Sequence, residues 1–337
     1  MATTTRLLGT SAFSALLLVA LAGCSAPAET AGPADPSLET IDVNFGYIGD
    51  FNGTSLLAIA DSEGMWDDAG IDVTTSVFTN GPLQITALGT GDLDFGYIGP
   101  GAMWLPASGA AKVIAINTLG NADRVIAQAG IDSIEDLEGK TVGVPEGTSG
   151  DMILTLALQS AGMTKADINV VAMDPATIVA AFGSKQIDAA GFFYPAIATI
   201  KQQVPDLVEL AKNSDFSDEV SFPTAFVAGN DVVADDPDKV ERVTAVLREA
   251  MEFRSENPEE TIEATAKMLA IDPALVEADS KNVKVLSVEE LDSLTEDGTV
   301  DGWLSGMNDY FVGAGKLPGT VDPTTYYLGS QFVAAGE

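Results

Sequence analysis

Residues Ile41–Ile48 read IDVNFGYI and residues Thr141–Val144 read TVGV, two runs of the kind that predicts β-strands. After each run comes a short loop and then Gly-Thr-Ser, at Gly53–Ser55 and at Gly147–Ser149. Threonine and serine are favoured at the first positions of helices, so each triplet predicts a helix start. The sequence therefore predicts two copies of a strand, loop and helix unit.

Both copies continue in the same order, with a small-residue break, a second strand, a proline-containing helix start and a third strand. The matching segments are Ala69–Gly70 with Ala161–Gly162, 71–78 with 168–172, Asn80–Pro82 with Asp174–Pro175, and 93–98 with 187–192. This order predicts an α/β fold with two lobes, each a mostly parallel sheet flanked by helices.

The chain is predicted to pass between the lobes twice, near Arg124–Gln128 and near Ala228–Gly229. Lobe 1 would then comprise 39–126 and 228–337, and lobe 2 would comprise 127–227. Small-molecule sites concentrate in clefts between lobes. We therefore expect a ligand cleft between them.

The candidate binding residues follow the carboxyl ends of the predicted strands, where open α/β sheets bind ligands. They are Asp50, Asn52, Thr54, Asn80, Gly99, Gly101, Glu146, Thr148, Ser149, Tyr194 and Phe226. The N–H groups, hydroxyls and helix dipoles at the two Gly-Thr-Ser starts suit an anion, although the same hydroxyls serve equally as helix caps. The carboxylates would suit a cationic end of the ligand, and the aromatic residues an apolar wall or a cation–π face.

The N-terminus has the pattern of an export signal. Arg6 precedes an apolar run from Ser11 to Leu21, which closes on Leu-Ala-Gly-Cys at 21–24. This ending resembles the bacterial lipobox, which implies removal of residues 1–23 and acylation of Cys24, for example with palmitate. Residues 24–38 are rich in Ala, Pro, Gly and Ser, which predicts a lipid-anchored linker.

Two absences in the composition exclude whole classes of chemistry. The chain contains no histidine, which removes Ser-His and Cys-His catalysis and His-ligated zinc. Cys24 is the only cysteine, so the mature domain has neither a disulfide nor a catalytic thiol. The net charge of −34 argues against nucleic acid as a partner. We expect no metal, no cofactor and a monomeric protein that is not an enzyme.

Several segments together resemble one branch of the type II periplasmic-binding-protein fold, the taurine-, aliphatic-sulfonate- and nitrate-binding proteins of ABC importers. They are ALGTGDLDFG at 87–96, IEDLEGKTVGVP at 134–145, DPATIVAAF at 174–182, IDAAGFFYPA at 187–196 and FVGAGKLP at 311–318. The resemblance implies an extracytoplasmic protein, anchored to the cell membrane through Cys24. It would capture a small polar organic solute, sulfonate- or taurine-like and including zwitterions, and deliver it to an ABC permease.

Two positions depart from the family pattern. The family loop after the third strand often reads Gly-Ser-Ser-Pro, whereas residues 99–102 read Gly-Pro-Gly-Ala. Taurine binders also place an acidic residue near the position of Phe226. An amine or another cationic small molecule therefore stands as the alternative ligand. The alternative class is an enzyme like the pyrimidine-precursor proteins that resemble this family, but those depend on histidine.

Overall fold

A computed structural model of the protein describes residues 39–336. The predicted signal peptide (1–23), the acylation site Cys24 and the linker (24–38) lie outside the described residues. Within 39–336, no helix combines the length and the apolar character needed to cross a lipid bilayer.

The described residues alternate between strands and helices along most of their length. The strands are β1 (Ile41–Ile48), β2 (Ile71–Phe78), β3 (Phe95–Ile98), β4 (Lys112–Gly120), β5 (Asp123–Ala127), β6 (Thr141–Val144), β7 (Asn169–Ala172), β8 (Ala189–Phe193), β9 (Val208–Lys212), β10 (Pro223–Ala228) and β11 (Val283–Val285). The helices are α1 (Phe51–Ser62), α2 (Met65–Asp68), α3 (Gly81–Thr90), α4 (Trp104–Ala107), α5 (Ser149–Ser160), α6 (Pro175–Gly183), α7 (Ala196–Gln203), α8 (Asn230–Asp235), α9 (Pro237–Glu256), α10 (Pro258–Leu269), α11 (Pro273–Ser280), α12 (Val288–Glu296), α13 (Thr299–Gly313) and α14 (Gly329–Ala334).

The strands form two sheets, and the predicted repeat is visible in both. The first sheet has the order β11-β4-β10-β3-β1-β2, and the second has the order β7-β6-β8-β5-β9. In each, the first strand of the repeat pairs in parallel with the other two, as β1 does with β2 and β3, and β6 with β7 and β8. The predicted α/β fold with two helix-flanked sheets is confirmed. We call the elements packed around the six-stranded sheet lobe 1, and those around the five-stranded sheet lobe 2.

The glycine and helix-cap residues that were recognised in the sequence lie where these elements begin and end. Gly70 and Gly162 adopt positive φ angles of 66° and 69°, which residues with a side chain rarely adopt. Asn80 caps α3 by accepting the Leu83 N–H at 3.0 Å, and Asp174 caps α6 by accepting the Thr177 N–H at 3.0 Å. The local turn chemistry therefore fixes where each repeat unit changes direction.

The passages between the sheets lie slightly earlier in the chain than predicted. Residues 123–127 pair with β8 and β9 in the second sheet, and residues 223–228 pair with β3 and β4 in the first. Crossings near Arg124–Gln128 and Ala228–Gly229 are therefore wrong by about one strand, because each crossing strand belongs wholly to the sheet it enters. We propose 120–123 and 212–223 as the passages between the lobes.

The segment after β10 completes lobe 1. Helices α9 and α10 pack against α1, and α9 and α14 pack against β4. The core of this lobe includes Phe45, Phe95 and Phe226, whose rings lie with centroids 5.6 Å (Phe45–Phe95) and 5.8 Å (Phe45–Phe226) apart. This packing fixes β1 and β3, whose carboxyl ends carry the loops described next.

Candidate functional site

A cavity lies between the two lobes. Loops from both sheets line it, chiefly where strands end or where the chain passes between sheets. Seven of the predicted binding residues line this cavity: Asp50, Asn52, Asn80, Gly99, Thr148, Ser149 and Tyr194. The other lining residues are not in the predicted set: Ile48, Gly81, Tyr97, Pro100, Ala102, Gly120, Ala122, Asp123, Phe193 and Thr224.

Two predicted residues are buried in lobe 1 instead. Thr54 is 0% exposed and lies inside α1, where its hydroxyl donates to the Ile48 carbonyl at 3.2 Å. Phe226 is also 0% exposed, and its ring packs 5.5 Å from that of Tyr97. The prediction that these side chains line the cavity is wrong, because the Phe226 ring packs in the lobe 1 core and Thr54 lies inside α1.

Two further predicted residues lie at the contact between the lobes, outside the cavity. A Cβ atom on Gly101 would come within 2.1 Å of the Thr148 carbonyl carbon and 2.2 Å of the Ser149 nitrogen. Gly101 therefore packs directly on the backbone of lobe 2. Glu146 is exposed, with its carboxylate 3.7 Å from the ammonium of Lys316. The expectation that either residue lines the ligand cavity is wrong.

Asp50 supplies the lobe 1 carboxylate. It is the N-cap of α1, and its Oδ1 accepts the Gly53 N–H at 2.6 Å. Burial raises the pKa of Asp50 well above its ordinary value, and the negative charge of Asp279 raises it further. Asp279 accepts the Phe51 N–H at 2.8 Å, and burial raises the pKa of Asp279 to about 6.

Asp123 supplies the lobe 2 carboxylate. It is the first residue of β5, is 3% exposed, and its Oδ2 accepts the Asn213 Nδ2–H at 2.7 Å. The Asp123 N–H donates in return to Asn213 Oδ1, also at 2.7 Å. Burial raises the pKa of Asp123, while hydrogen bonds from Ser149 and Asn213 partly oppose that rise.

These two carboxylates revise the predicted anion site. In lobe 1 the Gly-Thr-Ser triplet lies within the first turn of α1, and the cap position belongs to Asp50. In lobe 2 the triplet does begin α5, but its Thr148 hydroxyl donates to the Pro145 carbonyl at 2.6 Å, and hydrogen bonding by Ser149 lowers the pKa of Asp123. The Thr54 and Thr148 hydroxyls, which were expected to help hold an anionic ligand, donate to backbone carbonyls instead.

Asn52 presents a donor to the cavity. It is 7% exposed, its carbonyl accepts the Asn117 Nδ2–H at 2.8 Å, and its Oδ1 accepts the Thr118 hydroxyl at 2.7 Å. Asn117 is itself fixed by Arg254, which donates to its Oδ1 at 2.8 Å. With Oδ1 as the acceptor of the Thr118 hydroxyl, the Asn52 Nδ2 lies on the other side of the amide, away from Thr118. Among the side-chain hydrogen bonds of residues 39–336, none is donated by that nitrogen.

The aromatic part of the cavity wall is held from lobe 2. The Tyr194 hydroxyl donates to Glu209 at 2.9 Å, and Lys201 donates to the same hydroxyl at 2.6 Å. Arg124 lies 5.5 Å from the Tyr194 ring centroid and donates to Glu209 at 3.1 Å. Both basic residues are thus committed to Glu209, and none of the described residues that line the cavity is a lysine or an arginine.

Comparison with known proteins identifies the family. The sequence model of the family described as NMT1/THI5 like matches residues 53–261. The chain belongs to the NMT1/THI5-like family. A Brucella abortus (strain 2308) protein, whose name describes it as a candidate binding protein, is 57% identical over 302 residues, covering 90% of this chain and 95% of that relative.

Solved structures share the fold of this NMT1/THI5-like chain at lower identity. The alkanesulfonate-binding protein SsuA from Xanthomonas axonopodis pv. citri, bound to MOPS, has a TM-score of 0.66 at 21% identity, covering 86% of this chain and 99% of that one. The nitrate-binding protein NrtA from Synechocystis PCC 6803 has a TM-score of 0.71 at 16% identity, covering 88% and 89%. The resemblance that was drawn from the sequence segments is confirmed at the level of family and fold.

Proposed function

We propose that the protein is the extracytoplasmic solute-binding component of an ABC importer. The observation that carries this proposal is the cavity, which is built from the loops of two lobes that only two chain passages connect. A solute bound there would contact both lobes at once, so its binding would favour the arrangement in which they approach. The binding-protein relatives support the same role.

The proposed partners follow from this role. An ABC permease would recognise the loaded protein, and acyl chains on Cys24 would hold it on the outer face of the cell membrane. A Cys24→Ala variant should move from the membrane fraction to the soluble fraction without losing solute binding. Retention of that variant in the membrane fraction would remove the anchor from the proposal.

The ligand proposed is a small polar organic solute, and the cavity favours one with a cationic end. A purely anionic sulfonate would meet the Asp50 and Asp123 carboxylates with no basic side chain among the lining residues. For a taurine-like zwitterion, the two carboxylates would provide partners for the amine, but no basic side chain in the lining would provide one for the sulfonate. We therefore place the cationic alternative ahead of the sulfonate.

Catalysis is not part of the proposal. Asp50 and Asp123 are the acidic residues that line the cavity, and the chain has no histidine to act as a general base near neutral pH. Product formation during prolonged incubation with a bound solute, followed by mass spectrometry, would contradict this view.

Solute capture is tested by calorimetry on the mature chain with variants that fill the cavity. Ala122→Leu places a larger side chain on the cavity wall, whereas Ala334→Leu makes the same change on the exposed side of α14. We expect Ala122→Leu to abolish binding of a solute found by thermal shift, and Ala334→Leu to bind it normally. Equal binding by both variants would place the solute site elsewhere.

A further inference from the structure

We propose that Asp50 and Asp123 form a two-carboxylate clamp for the nitrogen of a compact organic cation, and that Asn52 donates a hydrogen bond to an acceptor on the same molecule. This inference rests on the proposed function, because it assumes that the cavity between the lobes is the solute site. The inference adds the chemical class of the ligand, and it names the protein groups that would contact the cationic nitrogen and the hydrogen-bond acceptor of that ligand.

The clamp draws one carboxylate from each lobe. Asp50 follows β1 in the first sheet, and Asp123 opens β5 in the second, yet both line one cavity. Each is fixed by the protein, Asp50 by the Gly53 N–H and Asp123 by Asn213. A ligand nitrogen that meets both carboxylates would therefore connect the two lobes directly.

The pair lacks a positive partner in the lining. Buried carboxylates are stable when an opposite charge or several donors accompany them. Arg124 is the basic residue adjacent to Asp123, and its Nε and Nη1 atoms donate to Glu209 and to the Asn121 and Asp123 carbonyls. A ligand cation would supply the missing charge inside the cavity.

An organic cation fits this pair better than a metal ion. Residues 39–336 contain no group of three or more carboxylate, thiol or imidazole side chains placed to hold a metal. Calcium requires six to eight oxygen ligands, and protein-bound magnesium demands near-octahedral geometry. The rings of Tyr97, Phe193 and Tyr194 also line the cavity, and such faces attract ammonium and guanidinium groups.

Asn52 provides the independent sign of a ligand. Its side chain is more than nine-tenths buried, yet its Nδ2 donates none of the side-chain hydrogen bonds among the described residues while Thr118 and Asn117 hold the rest of the residue in place. A buried amide donor gains a partner when the ligand brings an oxygen or an unprotonated nitrogen. The expected solute thus pairs a cationic nitrogen with a nearby hydrogen-bond acceptor.

The test uses the mature chain and probes that separate charge from shape. Four two-carbon compounds give a matched set. Ethylene glycol carries two hydroxyls, ethanolamine replaces one of them with an amine, isethionate replaces one with a sulfonate, and taurine carries the amine and the sulfonate. Benzylamine, benzenesulfonate and benzyl alcohol repeat the comparison for larger solutes, within a broad metabolite library. We expect thermal shifts only with compounds that carry a cationic nitrogen.

The contrary outcomes contradict different parts of the account. A shift with isethionate, benzenesulfonate or nitrate, and none with amines, would overturn the clamp but leave solute capture standing. Binding of an amine that Ala122→Leu leaves unchanged would place the solute site outside this cavity and overturn the clamp, and no shift with any member of the library would overturn solute capture and the clamp with it. A shift produced only by calcium or magnesium would replace the organic cation with a metal.

Variants then assign the contact to the carboxylates. Asp50→Asn and Asp123→Asn should each weaken binding of the best ammonium probe about tenfold or more, because each removes a charged hydrogen-bond acceptor. Asp72→Asn removes the same charge from an exposed position on β2 and should leave affinity unchanged. Equal affinities in all three variants would overturn the clamp. Circular dichroism of each variant separates lost binding from lost folding.

Discussion

The two lobes repeat the same strand, loop and helix unit but bring a carboxylate to the cavity by different routes. In lobe 1, Asp50 lies in the β1–α1 loop and caps its own helix. In lobe 2, the corresponding cap position holds Thr148, whose hydroxyl donates to the Pro145 carbonyl at 2.6 Å, and the carboxylate comes from Asp123 on the crossing strand. The repeat therefore reproduces the fold, while the acidic character of the site depends on the passage between the lobes.

The environments of the two carboxylates differ as well. Asp50 lies beside a second acid, Asp279, whose charge raises its pKa further. Asp123 has the Ser149 hydroxyl, Asn213 and the positive charge of Arg124 to oppose the effect of burial. The two carboxylates therefore differ in the charges and donors beside them, and variants can separate the two.

The largest expected effect comes from the contact that brings the lobes together. Gly101→Ala would force a methyl group into the Thr148–Ser149 backbone, where the nearest atom is 2.1 Å from the new Cβ. Because backbone cannot move aside easily, we expect the lobes to stay apart and ligand affinity to fall by about tenfold to a hundredfold, with a steric cost of about 1–3 kcal/mol. Small-angle scattering with and without ligand measures the approach of the lobes.

The control for this variant is Gly89→Ala on α3, where nothing lies within 4 Å of the added methyl group. It should bind ligand and compact normally. Normal compaction of Gly101→Ala would contradict the view that this glycine sets how closely the lobes approach.

Asp279→Asn tests the excess negative charge in lobe 1. Because the pKa of folded Asp279 is about 6, above the ordinary value of 3.8, the folded state binds this proton more tightly than the unfolded state does. Its contribution to stability is therefore lost as pH rises between those values. Removing the charge should raise the free energy of unfolding by about 1–3 kcal/mol at pH 7.5 and by little near pH 4.

Urea denaturation of the ligand-free protein at both pH values checks this prediction. Asparagine can still accept the Phe51 N–H, so the cap hydrogen bond is retained. An equal change in stability at pH 4 and pH 7.5 would show that the charge of Asp279 is not its cause.

Much of this arrangement follows from local sequence signals, and the remainder depends on long-range pairing. Asp50 and Asn80 were predicted because both lie in loops directly after predicted strands, where open α/β sheets bind ligands. Asp123 was not, because its place in the cavity depends on β5 pairing with β8 and β9, which follow it by tens of residues.

The incorrect predictions have the same origin. Phe226 was placed at the site from its position in a loop-like segment, but residues 223–228 form a strand between β3 and β4 and bury its ring. Thr54 matched Thr148 by residue type, yet α1 begins three residues before Thr54, so the two threonines occupy different positions in their helices. Similar motifs in a repeat do not ensure equivalent surroundings.

Ser149→Ala should have a smaller effect, confined to lobe 2. The Ser149 hydroxyl stabilises the charged form of Asp123, so its loss should raise the pKa of Asp123. Affinity for an ammonium probe should fall by about fivefold, equivalent to about 1 kcal/mol for one hydrogen bond, and the loss should be greater at pH 6 than at pH 8. Titration calorimetry at the two pH values measures this difference. A loss that does not depend on pH would indicate a direct contact between Ser149 and the ligand.

The smallest effect is expected at the surface. Glu146→Gln removes an exposed ion pair with Lys316 that spans 3.7 Å. Such pairs contribute about 0–1 kcal/mol, so affinity and melting temperature should change little. A tenfold loss of affinity would show that Glu146 belongs to the binding site, contrary to its exposed position.

The most direct test of the central claim is the pH dependence of affinity, measured by calorimetry with the strongest ammonium probe. The groups that act on the clamp are Asp50, Asp123, Asp279, Tyr97 and Arg124. Burial raises the pKa values of Asp50 and Asp123, so each must lose a proton before it can bind a cation. Affinity should therefore rise as pH increases through those values and then level off. Affinity that stays constant or falls with increasing pH would contradict a site in which both lobes hold a cationic solute through their carboxylates.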